Sequence, residues 1–457
     1  MPDIPEKKRA DYTEGSILTA ILKMGLPSMF GFLTANIYRI VDTWWVSQLP
    51  DGENAVAGLT FFGTILWLLF SFNMLVGPGS VAIISRRYGE KAYDAAEKAI
   101  KESLILKLFF GFLFGGVGLV LLRPILVLLG AEGEALELGF DYGQIMLIGL
   151  AFNFAVYTIF TALRGVANPN LAMTLMLAST ALNMILDPLF IFGYAGFPAM
   201  GVKGAAIASF ISIFVTLVAG LIILYGDYAN IKLHLRGKLR ISVSSMWTIV
   251  KIGIPAWLGD FSFSGARLII VPIVATFGTN VVAAYGVGNL ITETGVMILV
   301  GIGMGLSALI GQTLGSGKTE RAKQTAVQSI YLGIGIMTLF GLAVFFFAEE
   351  TMKMFFSNLE TIAVGTVMLK IYAVGFPFFG AFLMISEIHM GVGLNSPAMV
   401  INFINSWVLE VIPIYFFTQH FGFGVTIIWW TIVVALAISS FIFYVYYRRG
   451  RWLNHSV

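Results

Sequence analysis

The chain has 457 residues, of which 58% are hydrophobic and 12% are charged. Soluble domains carry about 25% charged residues, so this composition, with a mean hydropathy of +0.87, excludes a set of soluble domains and indicates a polytopic membrane protein. The net charge of +3 gives no indication of nucleic-acid binding, and the lack of cysteine excludes disulfides and thiolate metal sites.

Apolar runs long enough to cross a bilayer, which requires ~20 residues, recur along the whole chain. They predict an all-α polytopic membrane protein with twelve transmembrane helices. The predicted spans are 16–48, 54–84, 97–122, 136–160, 170–193, 202–225, 245–276, 281–312, 325–347, 361–388, 396–418 and 423–447.

Lysine and arginine cluster in alternate loops, whose face of the protein we call the basic side. The opposite face, the acidic side, carries only Arg123, Lys203 and Lys353. Because cytoplasmic loops are rich in Lys and Arg, the basic side is predicted to be cytoplasmic, with both chain termini on it. Residues 1–15 are then a cytoplasmic arm rather than a signal peptide, and we expect the protein in the cell (inner) membrane.

The chain contains an internal repeat. The sequence KMGLP at 23–27 matches KIGIP at 251–255, and NAVA at 54–57 matches NVVA at 280–283. Each unit holds six spans, and an even number restores the same orientation, so the halves are predicted to be parallel copies about an axis along the membrane normal. The predicted domains are an N-lobe (16–225), a linker (226–243), a C-lobe (244–447) and a tail (448–457).

Two aspartates lie inside apolar runs, Asp42 in the first span and Asp187 in the fifth. A charge within the bilayer costs about 2.5–3.5 kcal/mol on insertion scales, which indicates a function. Both lie about six residues from the acidic-side end of their span, as does Tyr142 in the fourth span, so at ~1.5 Å per residue the three share one depth.

Tyr38 and Asn183 each precede one of these aspartates by four residues and so share its helix face. The pattern predicts one polar cluster in the first half, with Asp42 and Asp187 as ion-coupling acids and Na⁺ at Asp42, Asp187 and Asn183 as an alternative to protons. The other interpretation is that each residue only caps a helix end or pairs with a neighbour. The predicted network comprises Tyr38, Arg39, Asp42, Tyr142, Asn153, Asn183 and Asp187.

Two residues next to this cluster affect how it could work. Pro188 removes a backbone donor and crowds the preceding turn, so it predicts a bend and a hinge in the fifth span. Arg39 either pairs with Asp42, three residues later, or points to another partner.

The second half lacks counterparts of both acids. The repeat places Leu268 or Ile270 opposite Asp42 and Pro413 opposite Asp187, so the coupling site is predicted to be single. Asp260 and Arg267 share a helix face, which favours a structural ion pair over a functional role. The acids Glu387 and Glu410 are predicted to lie near helix ends.

The sequence GSGKT at 315–319 resembles the tail of a phosphate-binding loop. That motif needs glycine at position 312, where this chain has Gln312, and it must follow a strand rather than an apolar helix. We therefore expect no nucleotide. Neither H-E-x-x-H nor G-x-S-x-G occurs, so no enzyme is predicted.

The sequences MGLP at 24–27, Tyr38 through Asp42, and LDP at 186–188 resemble the multidrug and toxic compound extrusion (MATE) family, in its DinF-like branch. The resemblance implies a two-lobed antiporter of the MATE/MOP type in which Asp42 and Asp187 are protonated acids supported by Tyr38, Tyr142 and Asn183. The chain departs from the pattern at Arg39, where asparagine is common, and at Ala205, where a hydroxyl residue is common.

The resulting hypothesis is an antiporter that exports organic cations or amphiphiles in exchange for H⁺ or Na⁺, with no other cofactor. Expected partners are small molecules and the lipid bilayer, and the expected state is a monomer. The alternatives are a flippase of the same superfamily for lipid-linked saccharides, which would need a strongly basic cavity, and a major-facilitator carrier, whose motif after the second span does not fit residues 85–98.

Overall fold

The computed structural model describes residues 10–234 and 241–455 of the chain, except for the side chains of Ala35, Asn36 and Arg39. Throughout this part the secondary structure is helical. The helices of the first half are α1 (Ile17–Ser47), α2 (Gly52–Ser71), α3 (Gly77–Gly89), α4 (Tyr93–Leu128), α5 (Gly133–Ile148), α6 (Leu150–Gly165), α7 (Pro169–Phe192) and α8 (Val202–Tyr225). A 3₁₀ turn, Phe72–Leu75, joins α2 to α3.

The second half repeats this order of spans, with the breaks between helices at other positions. They are α9 (Val243–Ala275), α10 (Thr279–Gly315), α11 (Thr319–Phe346), α12 (Ala348–Phe355), α13 (Leu359–Val392), α14 (Ser396–Phe403), α15 (Ile412–Tyr415) and α16 (Thr426–Arg448). Two π-helical turns, Ile404–Val411 and Phe416–His420, continue α14 and α15 within one span.

Eleven spans of the described residues are long and apolar enough to cross a membrane, and the bent pair α5 and α6 makes twelve. The predicted count is therefore confirmed. Most helices run past the predicted limits, because hydropathy marks the hydrocarbon depth whereas helices continue into the interface. In α4, for example, Asp94 lies in the first helical turn, where a negative charge favours the start of a helix.

The two halves repeat at the level of single hydrogen bonds. Ser16 caps the start of α1 and Ser242 caps the start of α9, each accepting from the backbone N–H three residues later. Asn54 donates to Glu134 at 3.0 Å in the first half, and its counterpart Asn280 donates to Glu360 at 2.9 Å in the second. The internal repeat is thus a repeat of structure, and the two halves form the two lobes of the fold.

The lobes approach each other closely on the basic side. A Cβ on Gly89 would overlap the carbonyl of Gln312, and a Cβ on Gly315 would overlap the carbonyl of Arg86. A shift of 226 positions converts the first contact into the second, so the approach is reciprocal about the pseudo-twofold axis. Glycine is needed here because any side chain would hold the backbones apart.

Side chains strengthen this closed face. The amide of Gln312 donates to the carbonyls of Arg164 at 3.2 Å and Gly165 at 2.9 Å, across the two lobes. On the same side Arg86 donates to the carbonyl of His455 at 2.6 Å. An apolar cluster lies beneath these contacts and includes Ala20, Ile21, Met24, Val81, Ile302, Ala308 and Leu309.

Candidate functional site

Asp42 and Tyr142 meet in the interior of the N-lobe. The hydroxyl of Tyr142, on α5, donates to Oδ2 of Asp42, on α1, at 3.2 Å. Asp42 is 5% exposed and Tyr142 is 7% exposed. The two residues are distant in sequence, so their contact confirms the prediction that they lie at one depth.

Asp187 and Asn183 form the second part of the site on α7. The amide of Asn183 donates to Oδ1 of Asp187 at 3.2 Å, as expected for residues one turn apart on one face. Both side chains are fully buried. Asp42 and Asp187 are close enough to interact electrostatically, so the two carboxylates belong to one cluster.

Ser209, on α8, joins the two parts and was missed at the sequence level. Its hydroxyl lies 2.6 Å from that of Tyr38 and accepts from the amide of Asn183 at 3.4 Å. It also interacts with the hydroxyl of Tyr142. Ser209 lies one helical turn after Ala205, and this spacing is the signal that could have identified it.

The cluster has unused acceptor oxygens. Asp42 Oδ1, Asp187 Oδ2 and Asn183 Oδ1 are buried and have no hydrogen-bond partner among the described residues. A buried acceptor without a donor is unfavourable, so the cluster favours binding a proton or a small cation. Its carboxylate and amide oxygens suit a hard cation such as Na⁺, although the described part has no group of three or more His, Cys, Asp or Glu that could hold a metal ion.

The remaining predicted site residues are Arg39, Asn153 and Pro188. The side chain of Arg39 lies outside the described residues. Asn153 has a buried amide oxygen, and no described hydrogen bond links its side chain to the cluster. Pro188 does not end α7, which continues to Phe192, and the hinge stays a prediction. A bend of 52° separates α5 from α6.

Two predictions about charged residues of the C-lobe are wrong. Asp260 and Arg267 form no ion pair within the described part; the guanidinium lies 4.8 Å from the ring centre of Phe263. Seven residues rise ~10.5 Å along a helix, which exceeds the reach of an aspartate. Glu410 does not lie near a helix end but within the first π-helical turn.

The phosphate-loop-like sequence is a tight turn between α10 and α11. Gly317 takes a positive φ of 76° in it. Lys318 donates to the carbonyl of Thr13 at 3.2 Å and to the carboxylate of Glu14 at 2.9 Å. The lysine therefore binds the segment before α1. This arrangement gives no support to nucleotide binding at this turn.

Comparison with known proteins matches this architecture. The MatE family model matches residues 27–189 and 255–416, one segment in each lobe and together more than half of the chain. The chain is 26% identical over 400 residues, covering 87% of it and 86% of the relative, to Probable multidrug resistance protein YoeA of Bacillus subtilis (strain 168). It is 27% identical over 445 residues, 96% of each chain, to Multidrug export protein MepA of Staphylococcus haemolyticus (strain JCSC1435).

The fold also matches solved structures. One, described as the outward-facing conformation of a multidrug resistance MATE family transporter of the MOP superfamily, gives a TM-score of 0.87 at 24% identity over 97% of this chain and 98% of that chain. Together with the family match, this confirms the family and the fold predicted from the sequence. The chain belongs to the MATE family, whose members are integral membrane transporters and not enzymes.

Proposed function

We propose that the protein is a secondary multidrug antiporter that exports organic cations or other amphiphiles in exchange for protons. The observation that carries this proposal is the buried cluster in which two carboxylates, Asp42 and Asp187, share one hydrogen-bonded network. The names of YoeA and MepA, which describe multidrug resistance and export, support the substrate class.

The charge of the cluster provides the coupling. When both carboxylates are ionised, the interior of the N-lobe attracts a cation, and when they are protonated it does not. Protons entering from the acidic side therefore favour release of a bound cationic drug, and loss of protons to the basic side restores its affinity. Two ligands that need the same carboxylates compete, which is the requirement of an exchange mechanism.

The test uses purified protein in liposomes. Acid-loaded liposomes without sodium should accumulate the organic cation ethidium, because outward proton flow drives its uptake. Asp42→Asn should abolish this accumulation, while Asp51→Asn, at an exposed position before α2, should not. Full accumulation by Asp42→Asn would contradict the proposal.

Sodium coupling is tested in the same liposomes. A sodium gradient at equal pH should drive little accumulation if protons are the coupling ion. Accumulation under sodium alone would indicate that Na⁺, bound at Asp42, Asp187 and Asn183, is the coupling ion instead of the proton.

The proposal includes a monomer in the cell membrane with both termini and the basic side in the cytoplasm, in accord with the distribution of Lys and Arg.

The flippase alternative receives no support from the buried basic residues. Lys107 is buried, but it donates to the carbonyl of Asn73 at 2.6 Å. Arg164 is also buried and interacts electrostatically with Glu387. Both positive charges therefore have partners and do not form the strongly basic cavity that an anionic lipid headgroup would require.

A further inference from the structure

The interior of the C-lobe contains an acidic residue that the proposed cycle does not use. Glu410 is 8% exposed and Asn405 is 7% exposed, in the middle of the eleventh span. The amide of Asn405 donates to Oε1 of Glu410 at 2.6 Å. The remaining amide oxygen of Asn405 is buried and has no hydrogen-bond partner in the described part of the chain.

This pair repeats the chemistry of Asn183 and Asp187 in the N-lobe. In an α-helix an amide pairs with a carboxylate four residues later, whereas Asn405 and Glu410 are five residues apart. The π-helical turn Ile404–Val411 compensates, because its i→i+5 geometry places residues five apart on one face. The π-helical turn thus allows in the C-lobe the same amide–carboxylate pairing, which a regular α-helix would not allow at this spacing.

The C-lobe pair is also displaced as a unit. The repeat places Pro413 opposite Asp187, and Glu410 lies three residues before it, toward the basic side. Tyr372 lies four residues after Met368, the counterpart of Tyr142, in a span of opposite direction, which is again toward the basic side. At ~1.5 Å per residue both shifts are ~4.5–6 Å, so the acid, the amide and the tyrosine are repeated about one turn deeper.

The groups around Glu410 come from four other helices. Arg267 on α9 and Tyr372 on α13 both interact electrostatically with the carboxylate. Tyr285 on α10 interacts with Tyr372 and stacks at 5.4 Å on the ring of Trp429, on α16. Arg267 makes no ion pair within 4.0 Å in the described residues, so it balances the charge of Glu410 without fixing the carboxylate.

We propose that Glu410 is a second proton-exchanging carboxylate, in the C-lobe, which takes up and releases a proton during each transport cycle. This rests on the proposed antiport. With Glu410 ionised, its charge and that of Arg267 cancel. Protonation leaves the positive charge of Arg267 uncompensated, so the C-lobe interior then repels a cationic substrate, in step with neutralisation of the N-lobe acids.

The test measures coupling rather than activity. In liposomes with the membrane voltage clamped at zero, the pH gradient that stops net ethidium flux against a fixed ethidium gradient gives the number of protons exchanged per substrate. Glu410→Gln should need a steeper pH gradient than the unchanged protein, because one proton fewer moves per cycle. Glu350→Gln, at an exposed position on α12, is the matched control and should leave the balance point unchanged. An unchanged balance point in Glu410→Gln overturns the inference.

A second variant covers the case in which Glu410→Gln does not fold. Arg267→Gln removes the compensating charge and should move the pH profile of transport toward higher pH, because an uncompensated carboxylate takes up a proton more readily. An unchanged profile would count against the inference. The proposed function fails separately, if the unchanged protein shows no flux driven by a pH gradient.

Discussion

At the scale of single residues, Ser209 shows how the cluster is completed. The family resemblance leads to a hydroxyl at position 205, where this chain has a buried alanine. Since residues 205 and 209 lie on one face of α8, a serine one turn later can supply that hydroxyl from the same helix. The hydrogen bonds of Ser209 to Tyr38 and Asn183 then link α1 and α7 through α8.

Replacing Ser209 tests this link. Ser209→Ala should lower proton-driven ethidium transport by roughly thirtyfold, since the lost hydrogen bonds to Tyr38 and Asn183 each contribute about 1 kcal/mol. Ser212→Ala is the control, because that hydroxyl bonds only the carbonyl of Ala208 on its own helix in the described structure. Equal loss in both variants would show that Ser209 acts only through the stability of α8.

Part of the site could be predicted because helical rise is regular. Counting residues from the acidic-side ends placed Asp42, Tyr142 and Asp187 at one depth, and Tyr142 does contact Asp42. Ser209 was missed because one serine in an apolar run carries little signal. The pairing of Asn405 with Glu410 could not be predicted either, since five residues separate them and only a π-helical turn aligns that spacing.

At the scale of helices, the spans are interrupted in ways that hydropathy does not detect. The second span changes to a 3₁₀ turn at Phe72–Leu75, and the carbonyl of Asn73 there accepts from the buried Lys107 at 2.6 Å. The residues at such breaks are still mostly apolar. Composition therefore predicts that the span exists and approximately where it begins and ends. Their positions depend on partners from other helices, which a single span does not reveal.

Glycines set the distance between neighbouring helices. A Cβ on Gly115 of α4 would lie 2.6 Å from the carbonyl of Leu147 on α5, whereas a Cβ on Gly116 would meet no described atom within 4 Å. The same contact recurs in the C-lobe between Gly341 and the carbonyl of Ala373. Close packing at small residues is one of the forces that hold helices together in lipid.

The adjacent glycines give a matched pair of variants. Gly115→Leu should force α4 and α5 apart and cost about 2–3 kcal/mol, as overpacked sites do. Gly116→Leu should stay near the unchanged protein. Thermal unfolding midpoints of the two variants in the same detergent provide the measurement, and similar midpoints would contradict this packing.

At the scale of the whole molecule, the repeat was predictable because short motifs recur in order at nearly constant spacing. The structure adds the reciprocity of the contacts across the pseudo-twofold axis, such as Gly89 with Gln312 and Gly315 with Arg86. These contacts close the basic side. They are contacts between backbone atoms, so the sequence could not predict them. An exchange cycle requires that this face also open.

A bulky residue at this contact should shift the equilibrium between open and closed forms. Gly315→Val should favour the form that is open on the basic side, because its side chain would overlap the carbonyl of Arg86. The chain has no cysteine, so Ala308→Cys, in the apolar cluster beneath the contact, gives a single reporter thiol. We expect the thiol to react with a water-soluble maleimide faster when Gly315→Val is also present.

The control for this experiment is Gly335→Val on α11, since a Cβ at Gly335 meets no described atom within 4 Å. It should leave the labelling rate of the thiol unchanged. Slow labelling in both double variants would indicate that the glycine contact does not keep the basic side closed.

The two ends of the chain are each bound by the opposite lobe. Arg321 donates to the carbonyl of Gly15 at 2.8 Å, and Arg86 donates to the carbonyl of His455 at 2.6 Å. Every amino acid has a main-chain carbonyl oxygen, so substitutions in these two terminal segments would leave both hydrogen bonds possible. A deletion between Gly15 and the start of α1 at Ile17 would instead move this carbonyl away from Arg321, and the two lobes would lose a contact on the basic side.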